Sequence, residues 1–301
     1  EIAEFGDKPV VSLTDDDLKY VTGQHVALYA QFLSLYIDDQ EREQVNQERA
    51  KMRKLASLRS YFQFMFKDGR IPANVAQLID LPKIHEKPIL RLEIDEVARM
   101  LDAAQSGSAL SPQQKAFHEH TKARDLAMLT LFLGTGIRVS ECVGLNLEDV
   151  DFTNNSFLVT RKGGAQVILY FSDEVAQALK AYLALRKEMH PLPGHENAFF
   201  LSIQNKRMGV RSVENMVKKY ALIAAPLKKR LSPHKLRSTF GTNLYHETGD
   251  IYLVADVLGH SDVNTTRKHY AAMSDDRRRM AAKAVKLRDD PENEPPEKTD
   301  Q

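Results

Sequence analysis

The chain has 301 residues, which at roughly 100–200 residues per domain predicts two domains, each large enough to bury a core. Hydrophobic residues make up 43% and charged residues 28% of it, at a formal net charge of +1, and these values exclude wholesale disorder and fibrous repeats. No stretch approaches the about 18 consecutive apolar residues of a membrane span, and the single cysteine, Cys142, excludes an internal disulfide and favours a reducing, cytoplasmic setting.

Helical patterns dominate the first eighty residues. Thr14 and Asp17 form a capping pattern ahead of Leu18, which predicts the start of an amphipathic helix. Between Met52 and Phe66, apolar residues recur every three or four positions and predict a second helix with one apolar stripe. The basic residues of this helix fall largely off the stripe, so we expect it to pack by one face and to expose a basic face.

Pro82 and Pro88, with little periodicity between them, mark a linker that we place at residues 83–90. It separates a helical domain, residues 1–82, from a second domain, residues 91–288.

The second domain is predicted to be mainly helical with one small sheet. Helical spacing at residues 93–104 and an all-round apolar run at 124–133 predict an amphipathic helix and a buried helix. Between residues 150 and 171 the period changes to two, and asparagine and glycine pairs supply hairpin turns. After Asp173 the pattern is helical again until the tail. The predicted fold class is therefore mainly α, with a helical domain and an α+β domain that holds a small antiparallel three-stranded sheet.

Charge is distributed unevenly along the chain. Residues 289–301 hold six acidic residues, one lysine and three prolines, which predicts a disordered acidic tail of charge −5 and leaves +6 on residues 1–288. Residues 49–70 contain seven basic residues and one acidic residue, and residues 206–237 contain ten basic residues and one acidic residue. Two such stretches favour a polyanion partner over a merely solvated helix face. We predict that its contacts include Arg49, Arg53, Lys54, Arg59, Lys206, Arg207, Arg211, Lys218 and Lys235.

Several polar residues of the second domain stand at unusual positions. Arg138 follows the buried run across two glycines, and Glu141, one turn later, is its expected acidic partner. Lys162 lies in a Gly-Gly hairpin, where an ordinary exposed turn lysine is the simpler interpretation. His234 and Arg237 are three apart on a helix that begins at Pro233, a spacing that places them on one face.

Two further residues complete the set. His260 follows Leu258-Gly259 at a predicted helix end, where a lone histidine is more often a cap or core residue, and Tyr270 comes ten residues later. Each signal is weak alone, but the ordered set is specific. The sequence resembles the tyrosine recombinase (phage-type integrase, Xer-like) family over nearly the whole chain. The resemblance makes residues 1–82 a helical core-binding, DNA-binding domain and residues 91–288 the catalytic domain.

The resemblance implies that Tyr270 attacks a DNA phosphodiester, giving a 3′-phosphotyrosyl link and a free 5′-hydroxyl. Arg138 and Arg237 would bind phosphate oxygens as negative charge develops, because guanidinium groups bind them bidentately. A hydrogen bond from His260 would add to that grip.

Proton transfer falls to the remaining residues. A tyrosine hydroxyl with an ordinary pKa near 10 needs a base or local positive charge, and His234 is the candidate base. Lys162 would donate a proton to the leaving 5′-oxygen, and Glu141 would orient Arg138. The covalent intermediate conserves bond energy, so no cofactor is expected, and no metal-ligand spacing is visible.

The implied partners are duplex DNA and further copies of the chain. The two domains would close around the duplex with their basic faces toward phosphate, and binding would weaken with salt through counterion release. A C-terminal helix at residues 274–288 would carry self-association into a synaptic tetramer on DNA. No membrane partner is expected.

The sequence departs from the family pattern at two places. The opening helix of the core-binding domain is not visible before Val11, which implies a chain truncated at its N-terminus. The hairpin reads Arg161-Lys162-Gly163-Gly164-Ala165, without the second lysine of the usual G-K-G-x-K. Lys162 still aligns with the catalytic lysine.

Other proteins share this chemistry. A type IB topoisomerase or a hairpin-forming resolvase would use the same active-site residues, although the two-domain layout of about 300 residues favours a recombinase. A non-catalytic DNA-binding accessory protein on this fold is a further alternative, and the complete set of catalytic positions argues against it. Within the recombinase class, the sequence leaves open mobile-element integration or excision and Xer-like dimer resolution.

Overall fold

The computed structural model describes residues 9–38, 40–83, 90–161, 163–228 and 231–260, together with Val263 and Thr266. The chain divides into two compact units, residues 1–88 and 89–301. Lys162 and Tyr270 lie outside the described residues, as do most of the proposed linker, the C-terminal helix at 274–288 and the acidic tail at 289–301. Among the described residues, no helix combines the length and the apolar character that crossing a membrane requires.

The first unit is helical with one very short hairpin. Its elements are 3₁₀ turns at Val10–Ser12 and Asp17–Tyr20, α1 (Gly23–Phe32), β1 (Tyr36–Ile37), β2 (Glu43–Gln44) and α2 (Glu48–Lys67). The sequence did not predict the antiparallel β1–β2 pair. Its turn is closed by Asp38, whose carboxylate accepts hydrogen bonds from the Arg42 backbone and guanidinium at 2.9–3.0 Å.

The predicted cap at Thr14 forms but does not begin an α-helix. The Asp17 carboxylate accepts from the Thr14 backbone N–H at 2.7 Å and hydroxyl at 3.0 Å, and only a 3₁₀ turn follows. Val21 is then extended, and α1 starts afresh at Gly23 with Thr22 as its N-cap. The side-chain cap of Thr22 is more favourable than a helix carried through Thr22-Gly23, two poor helix formers.

The apolar stripe predicted for α2 is confirmed in part, because Tyr61 and Phe66, which the prediction included, are exposed. Leu55, Phe62 and Met65 are buried, and Phe62 and Met65 pack with Val26 of α1 in the core of the first unit. Arg53, on another face, is exposed.

The second unit contains α3 (Ile94–Ser106), α4 (Pro112–Thr135), α5 (Val139–Gly144), a 3₁₀ turn (Leu147–Asp149), β3 (Val150–Asp151), β4 (Ser156–Thr160), β5 (Gln166–Tyr170), α6 (Asp173–Lys187), α7 (Val210–Ala224), α8 (Pro233–Thr248) and α9 (Ile251–Leu258). The predicted fold class is confirmed, including the three-stranded antiparallel sheet in the order β3-β4-β5. The first strand is Val150–Asp151, and Phe152, the first large apolar residue of the period-two segment, lies in the turn before β4.

The core of the second unit surrounds α4. Ala127, Met128, Leu129, Leu131 and Phe132 are completely buried on successive faces of this helix, as its all-round apolar sequence predicts. The helix begins well before that run because Ser111 caps its N-terminus and Pro112 occupies the first turn. Its C-terminal end therefore lies inside the unit, and the residues that follow it start from a fixed position.

The prediction of helices from Asp173 to the tail is wrong for residues 188–209. This segment holds Pro191, Pro193 and Gly194, and the left-handed φ of +84° at Gly194 makes a turn where the pattern suggested a helix. An isolated bridge between Asn146 and Ala198 then ties the segment to the domain, and Phe199 next to it is fully buried.

Cys142 on α5 provides a test of this core. Its side chain is completely buried, and burial raises the pKa of the thiol. We expect Ellman's reagent at pH 8 to modify native Cys142 at least about 10³-fold more slowly than the denatured chain, because reaction requires an opening that costs several kcal/mol. Rapid modification of the native protein would contradict the packing described for α5.

Candidate active site

The structure describes four of the six predicted catalytic residues, namely Arg138, His234, Arg237 and His260, all in the second unit. Lys162 and Tyr270 cannot be placed, since they fall outside the described residues. Within the described ranges, no group of three or more His, Cys, Asp or Glu side chains is arranged to hold a metal ion.

The chain reaches Arg138 through a turn that needs glycine. Gly136 ends α4 with a left-handed φ of +63°, and Arg138 is the N-cap of α5 two residues later. A Cβ at Gly136 would collide with the Phe240 ring and come within 2.9 Å of Leu258 Cδ2. A larger residue would therefore push α8 and α9 away from the end of α4.

The predicted partner of Arg138 is in place. Arg138 Nη1 donates to Glu141 Oε1 at 2.7 Å, and the Arg138 backbone N–H donates to Glu141 Oε2 at 3.0 Å. The Glu141 side chain is only 4% exposed, whereas that of Arg138 is 36% exposed. The buried carboxylate thus orients a guanidinium that remains accessible to a ligand.

Arg138 and Arg237 converge on the C-terminal end of α9. Arg138 Nη2 donates to the carbonyls of Gly259 at 2.9 Å and Leu258 at 3.3 Å. Arg237, a buried residue of α8, donates through Nη2 to the same Leu258 carbonyl and through Nη1 to the carbonyl of Gly136. One carbonyl oxygen therefore accepts hydrogen bonds from both predicted phosphate-binding arginines.

The C-terminal end of α9 is suited to hold cations. Its last carbonyls lack partners within the helix and carry the negative end of the helix dipole. Asp250 caps the opposite end, accepting from the backbone N–H groups of Tyr252 and Leu253 at 2.8 and 3.1 Å. Gly259 then ends the helix with a φ of +60°, as its place in the sequence predicts.

His260 comes directly after the carbonyls that the arginines bind. Its backbone N–H donates to the Ala255 carbonyl at 2.9 Å, and its Nδ1 lies 2.7 Å from the hydroxyl oxygen of Thr266. These contacts fix the position and the orientation of the imidazole. The same turn that exposes carbonyls to the arginines thus places His260 beside them in the chain.

His234 and Arg237 lie on α8, which begins at Pro233 as predicted. His234 is exposed in the first turn, whereas Arg237 is buried one turn later. The accessible histidine is therefore at the surface of the second unit while the arginine is held inside it.

Arg161, which sequence reasoning did not assign to the site, also reaches the end of α9. It follows β4, and its Nη2 donates to the Val257 carbonyl at 2.9 Å. Burial lowers the pKa of its guanidinium, the charge of Arg138 lowers it further, and Glu141 and Asp256 oppose that shift. The signal available in the sequence was an arginine where the G-K-G pattern has its first glycine.

The basic residues of α2 form part of an exposed surface. Arg53, Lys54, Ala50 and Ser57 line a concavity of about 250 Å³ on one side of the helix. Arg49 is exposed, and Lys54 Nζ lies 5.3 Å from the centre of the Tyr36 ring. Arg59 Nη2 donates to the Gln77 carbonyl at 2.8 Å, so this arginine is partly engaged within the first unit.

The predicted contacts of the second unit differ in their surroundings. Lys206, Lys218 and Arg211 are exposed, with Arg211 paired to Glu214 at 3.0 Å, and Lys235 is half-buried. Arg207 instead donates to the carbonyls of Val143, Gly144 and Leu145 and to Asn146 Oδ1 at 2.6–3.0 Å. Its guanidinium therefore stabilises the C-terminal end of α5, the helix that Arg138 caps.

The sequence matches known proteins over this unit. The profile of the phage integrase family matches residues 91–277. A tyrosine recombinase XerC of Thermodesulfovibrio yellowstonii is 34% identical over 218 residues, covering 71% of this chain and 68% of that protein. The XerC of Alcanivorax borkumensis is 33% identical over 215 residues, covering 71% and 66%. The chain thus spans about two thirds of the length of these relatives.

Solved structures share the fold. The integrase of transposon Tn1549, in complex with a circular intermediate DNA, superposes with a TM-score of 0.66 at 21% identity, covering 89% of this chain and 87% of that one. The XerH recombinase, in a post-cleavage complex with palindromic difH substrate, gives 0.65 at 19% identity, covering 94% and 76%. Because the family profile covers more than half of the sequence and the XerC relatives exceed 30% identity, the chain belongs to the phage integrase family, and the resemblance to tyrosine recombinases is confirmed.

Proposed function

We propose that the protein is a site-specific tyrosine recombinase that cleaves and rejoins duplex DNA through a 3′-phosphotyrosyl intermediate. Its biological task would be the integration or excision of a mobile element, or Xer-like dimer resolution, in the cytoplasm. The observation that carries the proposal is the convergence of Arg138 and Arg237 on the Leu258 carbonyl, directly before the turn that holds His260. Membership of the phage integrase family supports it.

The two arginines provide an anion site that is formed before DNA binds. Glu141 and the carbonyls at the end of α9 hold the guanidinium of Arg138 in one orientation, and over a third of its side chain stays exposed. A scissile phosphate bound there would gain negative charge in the transition state beside donors that need not reorganise. His260, oriented by Thr266, would add a hydrogen bond to the same oxygens.

The proposed reaction exchanges one phosphoester for another. The Tyr270 oxygen bonds to phosphorus after His234 accepts its proton, and the bond from phosphorus to the 5′-oxygen breaks as Lys162 protonates that oxygen. Attack by the 5′-hydroxyl of a partner strand reverses the step and releases Tyr270. The phosphoester bond energy is conserved, so these residues complete the cycle without a cofactor.

DNA would contact both units. In the first unit we place phosphate contacts at Arg49, Arg53, Lys54 and Arg59 of α2. In the second unit we place them at Lys206, Arg211, Lys218 and Lys235, whereas the internal hydrogen bonds of Arg207 favour a supporting role. Recombination needs several subunits on DNA, and we propose that residues 274–288 mediate assembly into a synaptic tetramer.

Replacement of Tyr270 by Phe tests the nucleophile. We expect Tyr270→Phe to abolish covalent adducts on a nicked suicide substrate and to leave DNA affinity nearly unchanged, because only the attacking oxygen is lost. Tyr252→Phe is the matched control, since Tyr252 is an exposed tyrosine of α9 that precedes the Gly259-His260 turn. An adduct that persists in Tyr270→Phe, or disappears in Tyr252→Phe, would refute the assignment.

Arg138→Lys tests the phosphate grip while keeping the positive charge. A lysine cannot bind Glu141, the α9 carbonyls and two phosphate oxygens with one planar group, so we expect cleavage to slow by about 10²–10³-fold, similar to the loss of an oxyanion donor. Protection of Cys142 from Ellman's reagent would establish that α5 remains folded. Cleavage at the wild-type rate in a protected variant would contradict the role of Arg138.

The salt dependence of DNA binding tests the basic face of α2. Removing one phosphate contact should reduce the slope of log affinity against log salt by about 1, so we expect this change for Arg53→Ala. Arg42→Ala is the control, because Arg42 pairs with Asp38 in the β1–β2 turn and belongs to neither predicted contact set. An unchanged slope in Arg53→Ala would remove α2 from the DNA interface.

A further inference from the structure

Arg161 joins two parts of the second unit that are distant in sequence. It stands between β4 and the Gly163-Gly164 turn, and its backbone N–H donates to the Ala165 carbonyl at 2.8 Å. Its side chain crosses to α9, where Nη2 donates to the Val257 carbonyl at 2.9 Å and Nη1 lies 3.5 Å from the Asp256 carbonyl. The arginine therefore ties the β4–β5 hairpin to the carbonyl end of α9.

The contact between Arg161 and Gly259 leaves no space for a side chain. A Cβ on Gly259 would overlap the Arg161 guanidinium, because it would lie only 2.8 Å from Nε and closer still to Cζ and Nη1. Neither Gly163 nor Gly164 has any atom within 4 Å of an added Cβ, and both have positive φ, at +94° and +86°. The described part of the turn offers no side chain for packing, so the tie depends on Arg161.

The electrostatic cost of this arrangement requires a compensating interaction. Arg161 is partly buried and close to Arg138, and both effects disfavour its charge. The carbonyls of Asp256 and Val257, at the negative end of the α9 dipole, offset that cost only while the hairpin lies against α9. The net shift of the Arg161 pKa is downward, so these hydrogen bonds offset only part of the cost of holding the charge in the docked hairpin.

We propose that Arg161 is a positioning residue for strand cleavage, which holds the hairpin against α9 so that the proposed general acid Lys162, its neighbour in the chain, can act on a phosphate bound by Arg138, Arg237 and His260. This proposal rests on the proposed function, and it assigns to Arg161 a task that the glycine of the usual G-K-G pattern cannot perform. Arg161 itself transfers no proton and binds no substrate oxygen in this proposal. It affects the reaction only through Lys162.

The test compares two suicide substrates in single-turnover cleavage, one ordinary and one with sulfur in place of the 5′-bridging oxygen. Sulfur is a far better leaving group and needs no proton from Lys162. A displacement of about 1 Å can cost about 10²-fold in rate, so we expect Arg161→Ala to slow cleavage of ordinary DNA by about 10–10²-fold and the sulfur substrate to restore it. Lys162→Ala should show the same rescue, and Arg161→Ala should add no further loss to Lys162→Ala.

Two further variants separate positioning from general stability. Arg186→Ala is the structural control, since Arg186 of α6 is buried and also holds backbone carbonyls, those of Ala198 and Glu196, at 2.7–3.2 Å. It should lower the melting temperature and leave the ratio of the rates on the two substrates at the wild-type value. Arg161→Lys, which retains the charge and one donor to Val257, should recover part of the rate on ordinary DNA.

Several results would overturn the proposal. Equal losses of Arg161→Ala on both substrates, with Cys142 still protected, would make Arg161 a phosphate ligand or a purely structural residue. If the rate losses of Arg161→Ala and Lys162→Ala multiply in the double variant, Arg161 does not act through Lys162. Full activity of either single variant on ordinary DNA would lead to the same conclusion. If the wild-type protein forms no adduct on either substrate, the proposed function fails and this proposal with it. If the wild-type protein does form an adduct at Tyr270, any of the preceding variant results refutes the role of Arg161 and leaves the proposed function intact.

Discussion

The carbonyl end of α9 is the interaction on which the rest of the site depends. Arg161 from the hairpin, Arg138 from the start of α5 and Arg237 from α8 all donate to carbonyls between Asp256 and Gly259. Three like charges would otherwise repel one another in a partly buried region. The carbonyls at a helix C-terminus carry partial negative charge and allow these cations to lie close together. Glu141 supplies the full negative charge that carbonyls cannot.

This arrangement demands glycine at two places for reasons of space as well as backbone geometry. Gly136 brings the end of α4 against Phe240 and Leu258, and Gly259 lies against the Arg161 guanidinium. Both have left-handed φ angles, of +63° and +60°. A side chain at either residue would separate α9 from the elements that carry the arginines, so the charge site and the packing of the fold cannot be altered independently.

Most interactions between residues close in sequence were predictable, with the β1–β2 pair as an exception, and those between distant segments were not. Strands β4 and β5, the start of α8, the end of α9 and the Arg138–Glu141 pair follow from periodicity, caps and one-turn spacing. The contact of Arg161 with Val257 joins residues 96 positions apart, a separation that spacing arguments do not reach. Arg207 illustrates the same limit, because a basic stretch does not show which of its guanidinium groups will turn inward to cap α5.

Because the Leu258 carbonyl accepts from both Arg138 and Arg237, the proposed phosphate site is linked to the position of α9. The hydrogen bonds of Arg138 to Glu141 and to α9 hold its guanidinium in the orientation in which the proposed ligand would meet it. His260 follows immediately and is oriented by Thr266, so a shift of this helix end would also change the position of the imidazole. Arg237 holds this end of α9 from inside the unit while Arg138 remains accessible, so the proposed binding of phosphate by the two arginines and His260 depends on the position of one helix end.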